Sequence, residues 1–98
     1  MTIEKSINGA AVTLKIIGRL DTATAPELEA AVDGCAAEIK MLVLDCGALE
    51  YVSSAGLRVI LKAQKRMNAQ GGMKLIGVNE TVMEVLDITG FADILTIE

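Results

Sequence analysis

The run Met41-Leu42-Val43-Leu44-Asp45 constrains the fold more than any other stretch of this chain. Four consecutive apolar side chains leave no solvent-facing side at strand periodicity, and the run is short for a buried helix. It reads as a central strand in a sheet covered on at least one side. The segments before it supply neighbours. Thr2 to Ile7 alternates polar and apolar residues and ends at Asn8-Gly9, a hairpin signal because both residues tolerate positive φ. Val12, Leu14 and Ile16 then alternate with Thr13 and Lys15 across Ala11 to Ile17, the pattern of a half-buried strand.

The rest of the chain alternates between helical and strand rhythm. Gly18 to Ala25 (GRLDTATA) is a loop, with Thr24 as an N-cap, Pro26 in the first turn and Glu27 close behind. Leu28, Ala31, Val32, Cys35 and Ile39 recur at helical spacing, and Glu27, Glu29, Asp33 and Glu38 take the outer positions. After the central strand and a loop, a second helix is predicted from about Ser54 to Ala69 and is ended by Gly71-Gly72. Leu57, Ile60, Leu61 and Gln64 form one of its faces; Arg58, Lys62, Lys65 and Arg66 form another. Met73 to Val78 is a strand. Asn79 caps a third helix with Val82, Val85 and Leu86 inward and Gly90 as its stop, and a last short strand is expected at about Ile94 to Ile97. The order β-β-α-β-α-β-α-β predicts one α/β domain over residues 1–98. Its mixed sheet would have about five strands, with helices packed mainly on one face.

Composition narrows the chemistry. Apolar residues make up 52% of the 98, enough for one core, but Tyr51 and Phe91 are the only aromatics. A net charge of −4 argues against a nucleic-acid partner, whose phosphates need a basic surface. The chain has no histidine, so a Ser-His-Asp triad is impossible. Val52 stands where a nucleophile elbow needs its first glycine, and no lysine has an evident reason to be buried beside a serine. Phosphate-loop and dinucleotide fingerprints are missing. The carboxylates are scattered over solvent faces, so no metal site or cofactor is expected. Cys35 and Cys46 fall in apolar patterns and read as reduced core residues. The N-terminus lacks the apolar region of a signal peptide, and no stretch approaches the ~20 apolar residues that span a bilayer. A cytoplasmic binding or switching module is expected, without membrane insertion and without enzymatic activity.

Ser53 and Ser54 then stand out, at the junction of the central strand and the second helix. One serine suffices to cap a helix, worth about 1 kcal/mol. The second hydroxyl would sit at a helix start, where a phosphoryl group of about −1.5 to −2 charge is tolerated. The basic stripe along the helix (Arg58, Lys62, Lys65, Arg66) has no acid between Ser54 and Ala69 to neutralise it. It either docks an acidic partner or is a solvated helix face.

The loop GRLD (Gly18 to Asp21), the strand MLVLD and the segment YVSSAGLRVIL (Tyr51 to Leu61) resemble the STAS domain of bacterial anti-sigma factor antagonists. The spacing to KLIGV and the ending ITGFADIL (Ile88 to Leu95) also fit, so the resemblance runs nearly end to end. It implies a partner switch. The unphosphorylated antagonist binds an anti-sigma factor that is also a serine kinase, is released once phosphorylated, and is reset by a serine phosphatase. The family's D-S-x-G-L motif, aligned on Gly56-Leu57, puts the phosphoacceptor at Ser54. Ser53 then takes the position where many members carry aspartate, and is a second candidate. The resemblance implies partner contacts at Asp21, Thr22, Ser53, Ser54, Ala55, Gly56, Arg58 and Lys62. For Asp21, the alternative is a turn carboxylate. A different function within the same family is an accessory subunit of a membrane transporter that binds its ATPase subunit without phosphorylation.

Overall fold

The computed structural model describes residues 1–35 and 39–98. A four-stranded sheet has the order β1 (Thr2–Asn8), β2 (Ala11–Leu20), β3 (Met41–Val52) and β4 (Gly72–Ile76). β1 and β2 form an antiparallel hairpin, and β2, β3 and β4 are parallel. The parallel steps need crossovers, which α1 (Ala25–Asp33) and α2 (Ser54–Gln70) provide. α3 (Glu80–Thr89) and a 3-10 turn at Phe91–Asp93 complete the chain.

Two cross-strand rows line the buried face of the parallel strands. Val12, Leu42 and Met73 lie in register, as do Leu14, Leu44 and Leu75, and all six are buried. Their neighbours Thr13, Val43 and Lys74 point to the other side and remain partly exposed. The helices therefore cover one face, against which Leu28, Val32, Leu57, Ile60, Met67, Val82 and Leu86 are also buried. Burying each such side chain contributes roughly 1.5–3 kcal/mol relative to exposure. The hairpin turns at Gly9, whose φ of +62° stands at the first of two loop positions; Ala10 follows, and Asn8 pairs with Ala11. That is the glycine placement of a II′ turn, which matches the twist of the strands.

Four expected elements differ from those observed. β2 does not stop at Ile17 but runs to Leu20, through the first three residues of the expected loop Gly18 to Ala25. β3 does not stop at Asp45 but runs to Val52, with no loop before α2. Its pairing with β2 slips twice, between Lys15 and Ile17 and between Gly18 and Arg19, so β3 carries two extra residues. Each bulge reverses the side-chain parity. The buried positions run Leu42, Leu44, Cys46, then Leu49, then Val52. Three-residue steps hide the strand from a period-two reading.

α1 ends at Asp33, and Gly34 is its C-cap. Cys35 and Ile39 are buried as expected, but from the connection that follows the helix. Glu38, expected on the same helix, lies outside the described residues.

Ile94 to Ile97 is not a strand. Its one contribution to the sheet is a bridge between Leu75 and Ile97, with Leu75 N–H donating to Thr96 O and Glu98 N–H donating to Leu75 O, each at 2.9 Å. The 3-10 turn at Phe91–Asp93 ends just before this segment, and only Ile97 reaches the sheet. The second-helix boundary, the Asn79 cap and the Gly90 stop (left-handed, φ +81°) all stand as read. Cys35 and Cys46 are free and buried, and burial pushes the Cys46 thiol up to about 12, with the Asp45 charge adding to it.

Candidate functional site

The junction of β3 and α2 is fastened to the end of β2. Leu20 pairs with Val52, and the next residue, Ser53, donates its N–H to Leu20 O at 2.8 Å. Ser53 is extended (φ −93°, ψ 174°), and its Oγ accepts from Gly56 N–H at 3.3 Å, a long capping bond. Its carbonyl accepts the first helical bond, from Leu57 N–H at 2.9 Å. Gly56 is buried against Leu20; a Cβ there would lie 2.6 Å from Leu20 Cγ and 3.1 Å from Leu20 O. Only glycine allows the first turn of α2 to sit this close. Leu57 follows into the core.

With Ser53 occupied as the cap, Ser54 is the first residue of α2, exposed, and its hydroxyl makes no hydrogen bond to any described residue. The two serines thus hold different positions. One is engaged with backbone, and the other is presented to solvent with nothing to displace.

Asp21 directly follows Leu20 and so emerges beside this junction. Its Oδ1 accepts from Ala23 N–H at 3.0 Å and from Thr24 N–H at 3.1 Å, while its own N–H donates to Thr24 Oγ1 at 2.8 Å. Thr24 Oγ1 in turn donates to Arg19 O at 2.8 Å. These bonds hold the Asp21 carboxyl below the usual carboxylate range. The Thr24 backbone bond is the largest cause; the Thr24 side chain, the Ala23 backbone and the Arg19 charge add to it against a desolvation cost. Thr24 was expected to cap α1 with its own side chain. It occupies the N-cap position but makes no side-chain cap bond, and Asp21 O instead accepts from Ala25 N–H at 2.8 Å. The carboxylate organises the turn. Arg19 lies over the Tyr51 ring, 4.4 Å from its centroid, a cation–π pair joining the ends of β2 and β3.

Between α1 and α2 lies an open groove of about 410 Å³ that brings together Thr22, Ala55, Arg58 and Lys62. Ala25, Pro26, Glu29 and Val59 complete its lining, and sequence reasoning assigned none of these four to the site. The basic stripe is not uniform. Lys62 Nζ lies 3.6 Å from Glu29 Oε1. Arg66 reaches Asp33 Oδ1 at 3.4 Å and donates to Val32 O and Cys35 O, satisfying carbonyls at the end of α1. Arg58 and Lys65 have no partner among the described residues. The acids that α2 lacks come from α1, a packing relation with no signal in the local sequence.

Among the described residues no three His, Cys, Asp or Glu side chains are grouped to hold a metal, and no helix is long and apolar enough to cross a membrane.

The STAS domain model matches residues 2–98 of the chain. A Bordetella bronchiseptica protein, BtrV, named as an anti-sigma factor antagonist, is 39% identical over 85 residues, covering 82% of this chain and 71% of its own. Among solved structures, an anti-sigma factor antagonist from Mycobacterium paratuberculosis superposes with a TM-score of 0.88 at 22% identity, covering 98% of this chain and 83% of that one. The Bacillus cell fate determinant SpoIIAA, solved in its phosphorylated form, gives a TM-score of 0.75 at 16% identity over 99% of this chain and 91% of its own.

Proposed function

The chain belongs to the STAS domain family, and from that premise we propose that it is an anti-sigma factor antagonist switched by phosphorylation of Ser54. In the unmodified state the α2 start, the Asp21–Thr22 loop and the groove beside them dock an anti-sigma factor that is also a serine kinase. The partner surface comprises Asp21, Thr22, Ser53, Ser54, Ala55, Gly56, Arg58 and Lys62. Gly56 acts from beneath, by setting how close α2 lies to β2.

The kinase supplies the chemistry. Ser54 Oγ bonds to the γ-phosphorus of ATP, the bond from that phosphorus to the bridging oxygen breaks, ADP leaves, and the hydroxyl proton passes to a base of the kinase. The domain serves as substrate and ligand and performs no catalysis. The modification takes the net charge from −4 to about −6. A complex that must bury this dianion without a cation loses several kcal/mol. A serine phosphatase then hydrolyses the ester with water, restoring the hydroxyl and releasing inorganic phosphate.

The observation that carries the reading is the exposed, unengaged hydroxyl of Ser54 beside a Ser53 already occupied as cap. A hydroxyl committed to the backbone would have to break its bond before reacting. The test is incubation with the cognate anti-sigma factor kinase and ATP, followed by intact mass and peptide mapping. One added phosphoryl group on Ser54 is expected, Ser54→Ala should bind the kinase constitutively, and Ser53→Ala should remain a substrate. Modification of Ser53 alone, or no mass gain, overturns the assignment.

A further inference from the structure

Arg58 stands four residues beyond Ser54 on α2, exposed and without a partner among the described residues. Every other nearby cation is engaged or distant. Lys62 is drawn to Glu29, Arg66 to the end of α1, and Arg19 to the Tyr51 ring. Lys65 is unpartnered but lies eleven residues from Ser54, roughly 16 Å along the helix axis. Arg58 lines the groove beside Ala55, and because helical side chains lean toward the N-terminus its guanidinium can reach the turn that holds Ser54. An anion at i with a cation at i+4 is also the favoured polarity for such a pair.

We infer that Arg58 receives the phosphate of phospho-Ser54, forming a guanidinium–phosphate pair within the first two turns of α2. This rests on Ser54 being the acceptor, as proposed above. The planar guanidinium offers two parallel N–H donors to phosphate oxygens, which a lysine does not. Glu29 from α1 and Lys62 from α2 line the groove with Arg58, and Asp21 follows Leu20, the residue packed under the α2 start. Asp21 and Glu29 disfavour the dianion, and Lys62 is already shared with Glu29, so Arg58 is the group free to offset them. Modification then alters two charges of the docking face together: it adds an anion and withdraws the one uncommitted cation of the first two turns. A partner that used Arg58 to contact an acidic surface loses that contact as well.

The experiment uses full-length protein with phosphoserine inserted at position 54 during translation, so that no kinase is needed. The second phosphate ionisation is followed by 31P NMR against pH. In Arg58→Gln it should rise by about half a unit relative to the parent, and Arg58→Lys should fall between the two. Lys65→Gln, which removes the same charge farther along the helix, should leave it unchanged. An ionisation unmoved in Arg58→Gln, or moved equally by Lys65→Gln, overturns the pairing. A kinase that does not modify Ser54 defeats the function proposed above while leaving this titration readable. An ionisation unmoved by Arg58→Gln in a protein that the kinase does modify defeats only the role of Arg58.

Discussion

The starts of α2 and α3 use the same device and differ in what they leave open. Each has an extended cap residue whose side chain accepts the N–H three residues on: Ser53 from Gly56 at 3.3 Å, Asn79 from Val82 at 2.9 Å. In α3 the first helical residue is Glu80, an acid that the partial positive charge of the helix start favours. α1 likewise carries Glu27 in its first turn. α2 carries no acid in its first turn and has Ser54 where α3 has Glu80. α3 is finished as a structural element. α2 has an uncharged serine at the position where α3 carries an acid.

The two starts also differ beneath the surface, and the largest predicted effect lies there. Val82 fills core space in α3, while the equivalent Gly56 in α2 is pressed against Leu20. Giving α2 the α3 residue, Gly56→Val, should cost about 3 kcal/mol through overpacking, read as a lowered denaturant midpoint. A midpoint within experimental error of the parent would mean that the two starts are interchangeable.

Cap removal sharpens the comparison further. Asn79 also donates from Nδ2 to Leu49 O at 2.7 Å, tying α3 to β3. Asn79→Ala should therefore cost about 2 kcal/mol and Ser53→Ala about 1 kcal/mol or less, by chemical denaturation. The reverse order would place the stronger anchor at α2. Ser54→Asp should supply the missing acid and raise stability by about 0.3–1 kcal/mol, a gain that salt screens, while weakening kinase binding measured by calorimetry. A destabilised Ser54→Asp protein would contradict the comparison.

The smallest effect concerns pH. The folded-state carboxyl of Asp21 is held below the ordinary carboxylate range, so its contribution to stability is present above that range and is lost as pH falls through the folded value. Asp21→Asn should be the less stable protein at neutral pH. The gap should close on acidification, as followed by thermal melts across pH 7 to 2.

Sequence order, the hairpin, both later helix caps and the serine pair were legible because each depends on local periodicity or local hydrogen bonding. What escaped depends on residues far apart in the chain. The second half of β3 was hidden by bulges that exist only in its pairing with β2. The end of α1 is not legible from spacing, because Cys35 and Ile39 are buried at helical intervals without being helical. The charge stripe of α2 looked unopposed until α1 brought Glu29 and Asp33 alongside. At the candidate site, the division of roles between Ser53 and Ser54 could be posed from sequence, but only the Ser53–Gly56 bond and the exposure of Ser54 separate the two positions.

Leu20 holds the α2 start from two directions, by its carbonyl to Ser53 and by its side chain under Gly56. A mark placed on such a foundation has no slack through which to bend the scaffold. Under the proposed switch, a phosphoryl group on Ser54 would therefore stand as relief on the exterior, and a listener would read it by touch instead of by movement. Rim side chains can consequently diversify to suit different listeners while the writing surface stays as it is.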